Sequence, residues 1–193
     1  MKIAIIDYGA GNVQSVKYAL EKLGYQGEIT SDSNTIKNAE KVIFPGVGQA
    51  KSAMKRIKHT GLDKVIPSLT QPTLGICLGM QLLCNHTAEG NTKGLGVFDV
   101  DVVEFETKLN VPHMGWNSIE SFNSTLFSTL NEKEHVYFVH SYYVPICEHT
   151  IARSVYEIPF SASLQRDNFY GCQFHPEKSS TVGMKILQKF IEL

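Results

Sequence analysis

Two separated groups of residues in this sequence have the types and the spacing to carry out chemistry. The first is Thr73-Leu74-Gly75-Ile76-Cys77-Leu78-Gly79-Met80-Gln81, a short apolar run that ends in Gly-x-Cys-x-Gly just where apolar residues at helical spacing begin. A cysteine there sits where a buried strand turns sharply into a helix, a nucleophile elbow with sulfur in place of oxygen. The flanking glycines make room for a turn too tight for Cβ atoms and favour a positive φ near the nucleophile. The second group is Gln173-Phe174-His175-Pro176-Glu177, near the other end of the chain. Histidine is the side chain best suited to exchange a proton with a thiol near neutral pH, and a carboxylate fixes its tautomer and steadies the imidazolium. Residues two apart in an extended segment face the same way, so His175 and Glu177 should converge across Pro176. Either group alone also describes something bland, a buried structural cysteine or a loop. Together they supply a nucleophile, a base and an orienter.

A third stretch, Pro45-Gly46-Val47-Gly48, follows the apolar run Val42-Ile43-Phe44. Proline fixes the exit from that strand, and the two glycines free the backbone around Val47 so that its amide can point into a cavity. If the strand lies beside the one ending at Cys77, the amides of Val47 and Leu78 are candidate donors to a developing oxyanion.

These groups need a scaffold, and the remaining sequence supplies one. Ile3-Ala4-Ile5-Ile6 is a near-continuous apolar strand of the kind buried on both faces of a parallel sheet. It ends in Asp7-Tyr8-Gly9-Ala10-Gly11-Asn12, a glycine-rich loop leading to a helix marked by Val13, Val16, Leu20 and Leu23 and stopped at Gly24. That loop has no convincing third glycine or later acidic residue, so it is not read as a dinucleotide fingerprint. Further strands are expected at 26–31 and 41–44, helices at 49–58 and 78–86 with a short amphipathic piece at 62–69, and a surface loop at 89–96. From Val97 the period changes to two: Val100, Val102 and Phe105, then Ile119, then 135–140, 151–156, 161–164 and 169–174 read as short strands, and 181–193 as a closing helix. His86, His113 and His140 are read as ordinary solvated, loop and strand residues.

The totals bound the rest. A chain of 193 residues is long enough for one well-cored domain and short for two. Eighteen basic residues against nineteen acidic ones leave no electrostatic footprint for nucleic acid or an anionic membrane. Cys77, Cys84, Cys147 and Cys172 are scattered with no Cys-x-x-Cys pair, so neither a disulfide framework nor a structural zinc site is expected. No run approaches the roughly 20 apolar residues of a membrane span, and the apolar start is too short for a signal peptide, so the expected compartment is the cytoplasm.

The elbow at Cys77, the Gln173–Glu177 segment and the Pro45–Gly48 loop resemble those of the class I (triad) glutamine amidotransferases. With Asp7–Asn12, Val111-Pro112-His113-Met114-Gly115-Trp116-Asn117 and Tyr137-Phe138-Val139-His140-Ser141-Tyr142-Tyr143, the match narrows to the glutaminase-subunit family of imidazole glycerol phosphate synthases. The resemblance implies a single domain over 1–193 with an α/β, flavodoxin-like fold: a central, mostly parallel sheet flanked by helices, with antiparallel strands added in the second half. It implies that Cys77 attacks the side-chain amide of glutamine, that His175 carries the proton to the leaving ammonia and that Glu177 orients His175. Val47 and Leu78 would form the oxyanion hole, with Gly46, Gln81, Ser141 and Tyr142 holding the substrate, and neither metal nor cofactor is implied. It also implies a partner, a HisF-type (β/α)₈ cyclase subunit, met through Asn12, Met114 and Trp116; a lone tryptophan in such a stretch is a plausible anchor. Glutamine as substrate comes from the resemblance alone, since spacing and composition give only the triad. Two other functions fit parts of the sequence: a glutaminase serving a different synthase, and an oxidant sensor built on Cys77, which would have no need of His175 and Glu177.

Overall fold

A computed structural model describes residues 1–193. In chain order the elements are β1 (Ile3–Ile6), α1 (Val13–Lys22), β2 (Gly27–Thr30), α2 (Ser33–Lys37), β3 (Lys41–Gly46), α3 (Ala50–His59), α4 (Leu62–Val65), β4 (Thr73–Cys77) and α5 (Leu78–Leu83). There follow β5 (Cys84–Thr87), β6 (Thr92–Lys93), β7 (Phe98–Glu104), β8 (His113–Ile119), β9 (Glu134–His140) and β10 (Tyr142–Tyr143). β11 (Thr150–Tyr156), β12 (Ile158–Arg166), β13 (Phe169–Cys172) and α6 (Ser180–Glu192) complete the chain.

Seven strands form the main sheet in the order β11-β12-β13-β4-β3-β1-β2. The five from β13 to β2 run parallel, and β11 and β12 extend the β13 edge antiparallel. The period-two rule sorts the core. Ile3 and Ile5 of β1 join one apolar layer with Val16 and Leu20 of α1 and Leu187 and Phe190 of α6, while Ala4 and Ile6 join the other with Met54 and Ile57 of α3 and Leu82 and Leu83 of α5. A strand buried on both faces has no solvent side, which is why β1 reads as an unbroken apolar run.

Beside this sheet lie a four-stranded sheet, β10-β7-β5-β6, and an antiparallel pair, β8-β9. β3 pairs with β4 in parallel register, Gly46 opposite Cys77, as the oxyanion-loop reading required. No helix is long and apolar enough to cross a membrane.

Three local expectations need correction. The helix expected at 78–86 ends at Leu83, because carbonyls that would extend it are taken from the side: Leu95 N–H donates to Leu82 O and Val97 N–H to Leu83 O, both at 2.8 Å, and Cys84 turns into β5. Residues 113–118, read as loop, join Ile119 in strand β8. Its alternation is inverted, with His113 buried and Met114 and Trp116 exposed, so a polarity pattern hides it. His175-Pro176-Glu177 is not extended: a 3₁₀ turn spans Pro176–Lys178 with proline at its first position, where a missing N–H costs nothing.

Candidate active site

Cys77 closes β4 and is also the residue before α5, with φ +52° and ψ −112°. Such a conformation costs about 1–3 kcal/mol for a side chain with a Cβ and persists only where the surroundings impose it. Glycine makes the imposition possible. A Cβ on Gly79 would fall on the Phe44 carbonyl, and one on Gly46 would lie 2.6 Å from the Gly79 N–H, so the end of β3 and the start of α5 meet backbone to backbone. This close approach brings Val47 and Gly48 onto the wall of the cavity that Cys77 lines.

The parallel pairing of β13 with β4 carries the chain after Cys172 past the elbow. His175 is pinned there by its own N–H, which donates to Tyr137 O at 2.9 Å, and by Ser179 Oγ, which donates to His175 O at 2.6 Å. Its Nδ1 lies 2.8 Å from Glu177 Oε1, and both side chains are about 1% exposed. A carboxylate accepts, so Nδ1 carries a proton; Nε2 makes no hydrogen bond, and His175 lines the same cavity as Cys77. Burial pushes the imidazole toward its neutral form, but interaction with Cys77 and Glu177 outweighs that and raises its pKa to about 10.

The sulfur lies 3.8 Å from Val139 O and 3.7 Å from Gln173 Nε2. It opens into a cavity of about 300 Å³, a size suited to an amino-acid side chain and its head group. Val47 and Gly48, Leu78 and Gln81, and Val139, His140, Ser141 and Tyr142 line it with Cys77 and His175. Gln81 Nε2 donates to Tyr142 O at 2.9 Å and to Gln173 Oε1 at 2.8 Å, which spends its amino group and leaves its carbonyl for a ligand.

The cavity thus gathers Cys77, His175, Val47, Leu78, Gln81, Ser141 and Tyr142. Glu177 stands behind His175, and Gly46 lies under the floor as a spacer, not on the wall. Asn12, Met114 and Trp116 are away from the cavity. Met114 and Trp116 are 66% and 54% exposed, and the Asn12 side chain makes no capping hydrogen bond although it precedes α1. Sequence reasoning missed two groups. Gln173, fully buried, bridges Gln81 and the sulfur; its place two residues before His175 was a signal left unused. Glu89, read as part of a surface loop, lines the cavity while its Oε2 accepts from the Ala50 N–H at 2.7 Å.

The model of the family described as glutamine amidotransferase class-I matches residues 4–193. The imidazole glycerol phosphate synthase subunit HisH of Bacteroides thetaiotaomicron is 53% identical over 196 residues, covering all of both chains. The protein of the same name from Colwellia psychrerythraea is 46% identical, covering all of this chain and 93% of its own. Among solved structures, a chain of PurLQS from Thermotoga maritima superposes with a TM-score of 0.74 at 18% identity, over 99% of this chain and 97% of that one, a likeness of fold. A family match over nearly the whole chain, full-length relatives and a cysteine elbow served by a buried His–Glu pair agree: the chain belongs to the class I glutamine amidotransferase family.

Proposed function

We propose that this chain is the glutaminase subunit of an imidazole glycerol phosphate synthase of histidine biosynthesis, hydrolysing L-glutamine to glutamate and ammonia. The observation that carries this reading is the His175–Glu177 pair converging on Cys77 beneath a cavity of amino-acid size, in a chain about half identical to proteins named as that subunit. The Cys77 sulfur, its proton already taken up by His175 Nε2, attacks the amide carbon, and the oxyanion is held by the Leu78 and Val47 amides. His175 then gives the proton to the departing nitrogen. Ammonia leaves, a γ-glutamyl thioester remains, and water activated by the same imidazole releases glutamate. Glu177 keeps the proton on Nδ1 and steadies the imidazolium.

Gln81 and the Ser141–Tyr142 backbone hold the amino-acid end of glutamine, and Glu89 adds a negative charge on the cavity wall for its ammonium group. Ammonia passes to a HisF-type (β/α)₈ cyclase subunit that docks on the face bearing Asn12, Met114 and Trp116. Cytoplasmic placement suits four cysteines that are all unpaired. Val47, flanked by glycines of which Gly48 has φ +90° and nothing near its Cβ position, sits on a pliable loop, so partner binding can turn its amide inward.

The test is a coupled assay in which the chain is mixed with its cyclase partner in the presence of the nucleotide substrate, with glutamate release as readout. Release that depends on the partner and disappears in Cys77→Ala is the expected result. Full activity of Cys77→Ala in the complex, or stimulation by the synthase of another pathway instead, would overturn it. Structures with and without the partner that hold Val47 in one fixed conformation would remove the loop-turning step.

A further inference from the structure

The triad makes no use of a polar string buried inside the aromatic part of the core. His113 and His140 sit opposite one another in the β8-β9 ladder, both nearly inaccessible, with His113 Nδ1 2.9 Å from His140 Nε2. Tyr156 and Phe138 stack on the His113 ring, with centroids 4.1 and 4.9 Å away. Phe105 and Phe160 each lie 5.2 Å from the His140 ring. Burial pushes the two imidazoles down to about 4 and about 3, so both are neutral at physiological pH.

For neutral rings the direction of every bond follows. His140 Nδ1 lies 2.8 Å from the Tyr142 carbonyl, which only accepts, so Nδ1 carries the proton and Nε2 is bare. The bare Nε2 must accept from His113 Nδ1. That leaves His113 Nε2 bare in turn, and Asn117 Nδ2 reaches it at 3.3 Å. The string runs one way, Asn117 to His113 to His140 to the Tyr142 carbonyl. The same carbonyl also accepts from Gln81, whose amide continues through Gln173 to the sulfur of Cys77.

Apolar side chains would fill this aromatic box without the cost of burying two imidazoles, and a buried polar string that is fully satisfied specifies one geometry. Its end point, the carbonyl of a cavity-wall residue, says which geometry is being specified. We infer that His113 and His140 are positioning residues: through a one-way hydrogen-bond chain they anchor the Ser141–Tyr142 peptide of the glutamine subsite to strand β8. The inference rests on the glutaminase reading for its ligand, though the chain of bonds can be tested without it.

Two measurements on the assembled complex decide. Nitrogen-15 spectra of the imidazole rings should show the Nδ1-protonated tautomer at both His113 and His140. In steady-state glutaminase assays, His140→Leu, which leaves the Tyr142 carbonyl with one donor fewer, should raise the glutamine KM about tenfold, with the loss falling mainly on KM. His140→Asn places an amide N–H where Nδ1–H stood and should recover most of that loss. An Nε2-protonated His140, a KM unchanged in His140→Leu, or equal impairment in the Leu and Asn variants overturns the proposal. Should His140→Leu fail to fold by circular dichroism, the wild-type tautomers and the KM of His140→Asn decide. A wild-type complex that releases no glutamate would sink the glutaminase reading and leave the tautomers to judge the chain.

Discussion

Replacing Glu177 perturbs the site behind the reacting atoms without touching the cavity wall. The 2.8 Å bond to His175 Nδ1 joins two side chains about 1% exposed, so it is charge-assisted and shielded from solvent. In Glu177→Gln the amide oxygen still accepts from Nδ1, and what is lost is the difference between a charge-assisted and a neutral bond, about 1–2 kcal/mol. At 1.36 kcal/mol per factor of ten that is roughly a 5- to 30-fold fall in kcat. Glu177→Ala removes the acceptor altogether and strands a buried imidazole that carries charge until it protonates the leaving ammonia; breaking a buried pair costs about 3–5 kcal/mol, or roughly 150- to 5,000-fold. Glutamate release by the complex at saturating glutamine measures both, with circular dichroism as a check on folding. Rates within twofold of wild type for a folded Glu177→Ala, or a glutamine variant as impaired as the alanine one, would refute the orienting role.

Gly79→Ala should destabilise the chain by about 3 kcal/mol or more, because its Cβ would fall on the Phe44 carbonyl and force β3 from α5. Thermal unfolding should show Tm lowered by about 6–12 °C, and an unchanged Tm would deny the close approach. Gln173→Leu strips an acceptor from Gln81 and a donor from the sulfur, and single-turnover glutamate release should slow about tenfold; wild-type kinetics would make Gln173 a packing residue only. His175 is held above its ordinary value of 6.5, so the stability it contributes is complete below about pH 6.5 and drains away as pH rises through about 10. The gap in urea-unfolding free energy between wild type and His175→Gln should therefore narrow from pH 6.5 to pH 10, and a gap that widens contradicts the direction.

The interior strands were legible because burial on two faces leaves an unmistakable apolar run, and the elbow was legible because only Gly-x-Cys-x-Gly permits its turn; the positive φ at Cys77 was anticipated on those grounds. Strand β8 was not, apart from Ile119 at its end, because its first outward side chains are Met114 and Trp116 and its first inward one is His113, the reverse of the usual polarity. The early end of α5 depends on hydrogen bonds from residues 94–97, which no local window contains. His175 and Glu177 do converge, though by a turn beginning at Pro176 and not by extension. Glu89 and Gln173 stayed hidden for a common reason: each gains its role only from a neighbour far along the chain, the N-terminus of α3 for one and Gln81 for the other.

In the proposed reaction Cys77 bonds covalently to the carbon of glutamine that loses ammonia. Acid quenching of the complex during turnover, followed by peptide mass spectrometry, looks for that bond directly. The expected result is a γ-glutamyl adduct on the peptide containing Cys77, absent without glutamine and absent in Cys77→Ser. Brisk glutamate release with an unmodified Cys77, or an adduct carried by Cys84, Cys147 or Cys172 instead, would contradict it.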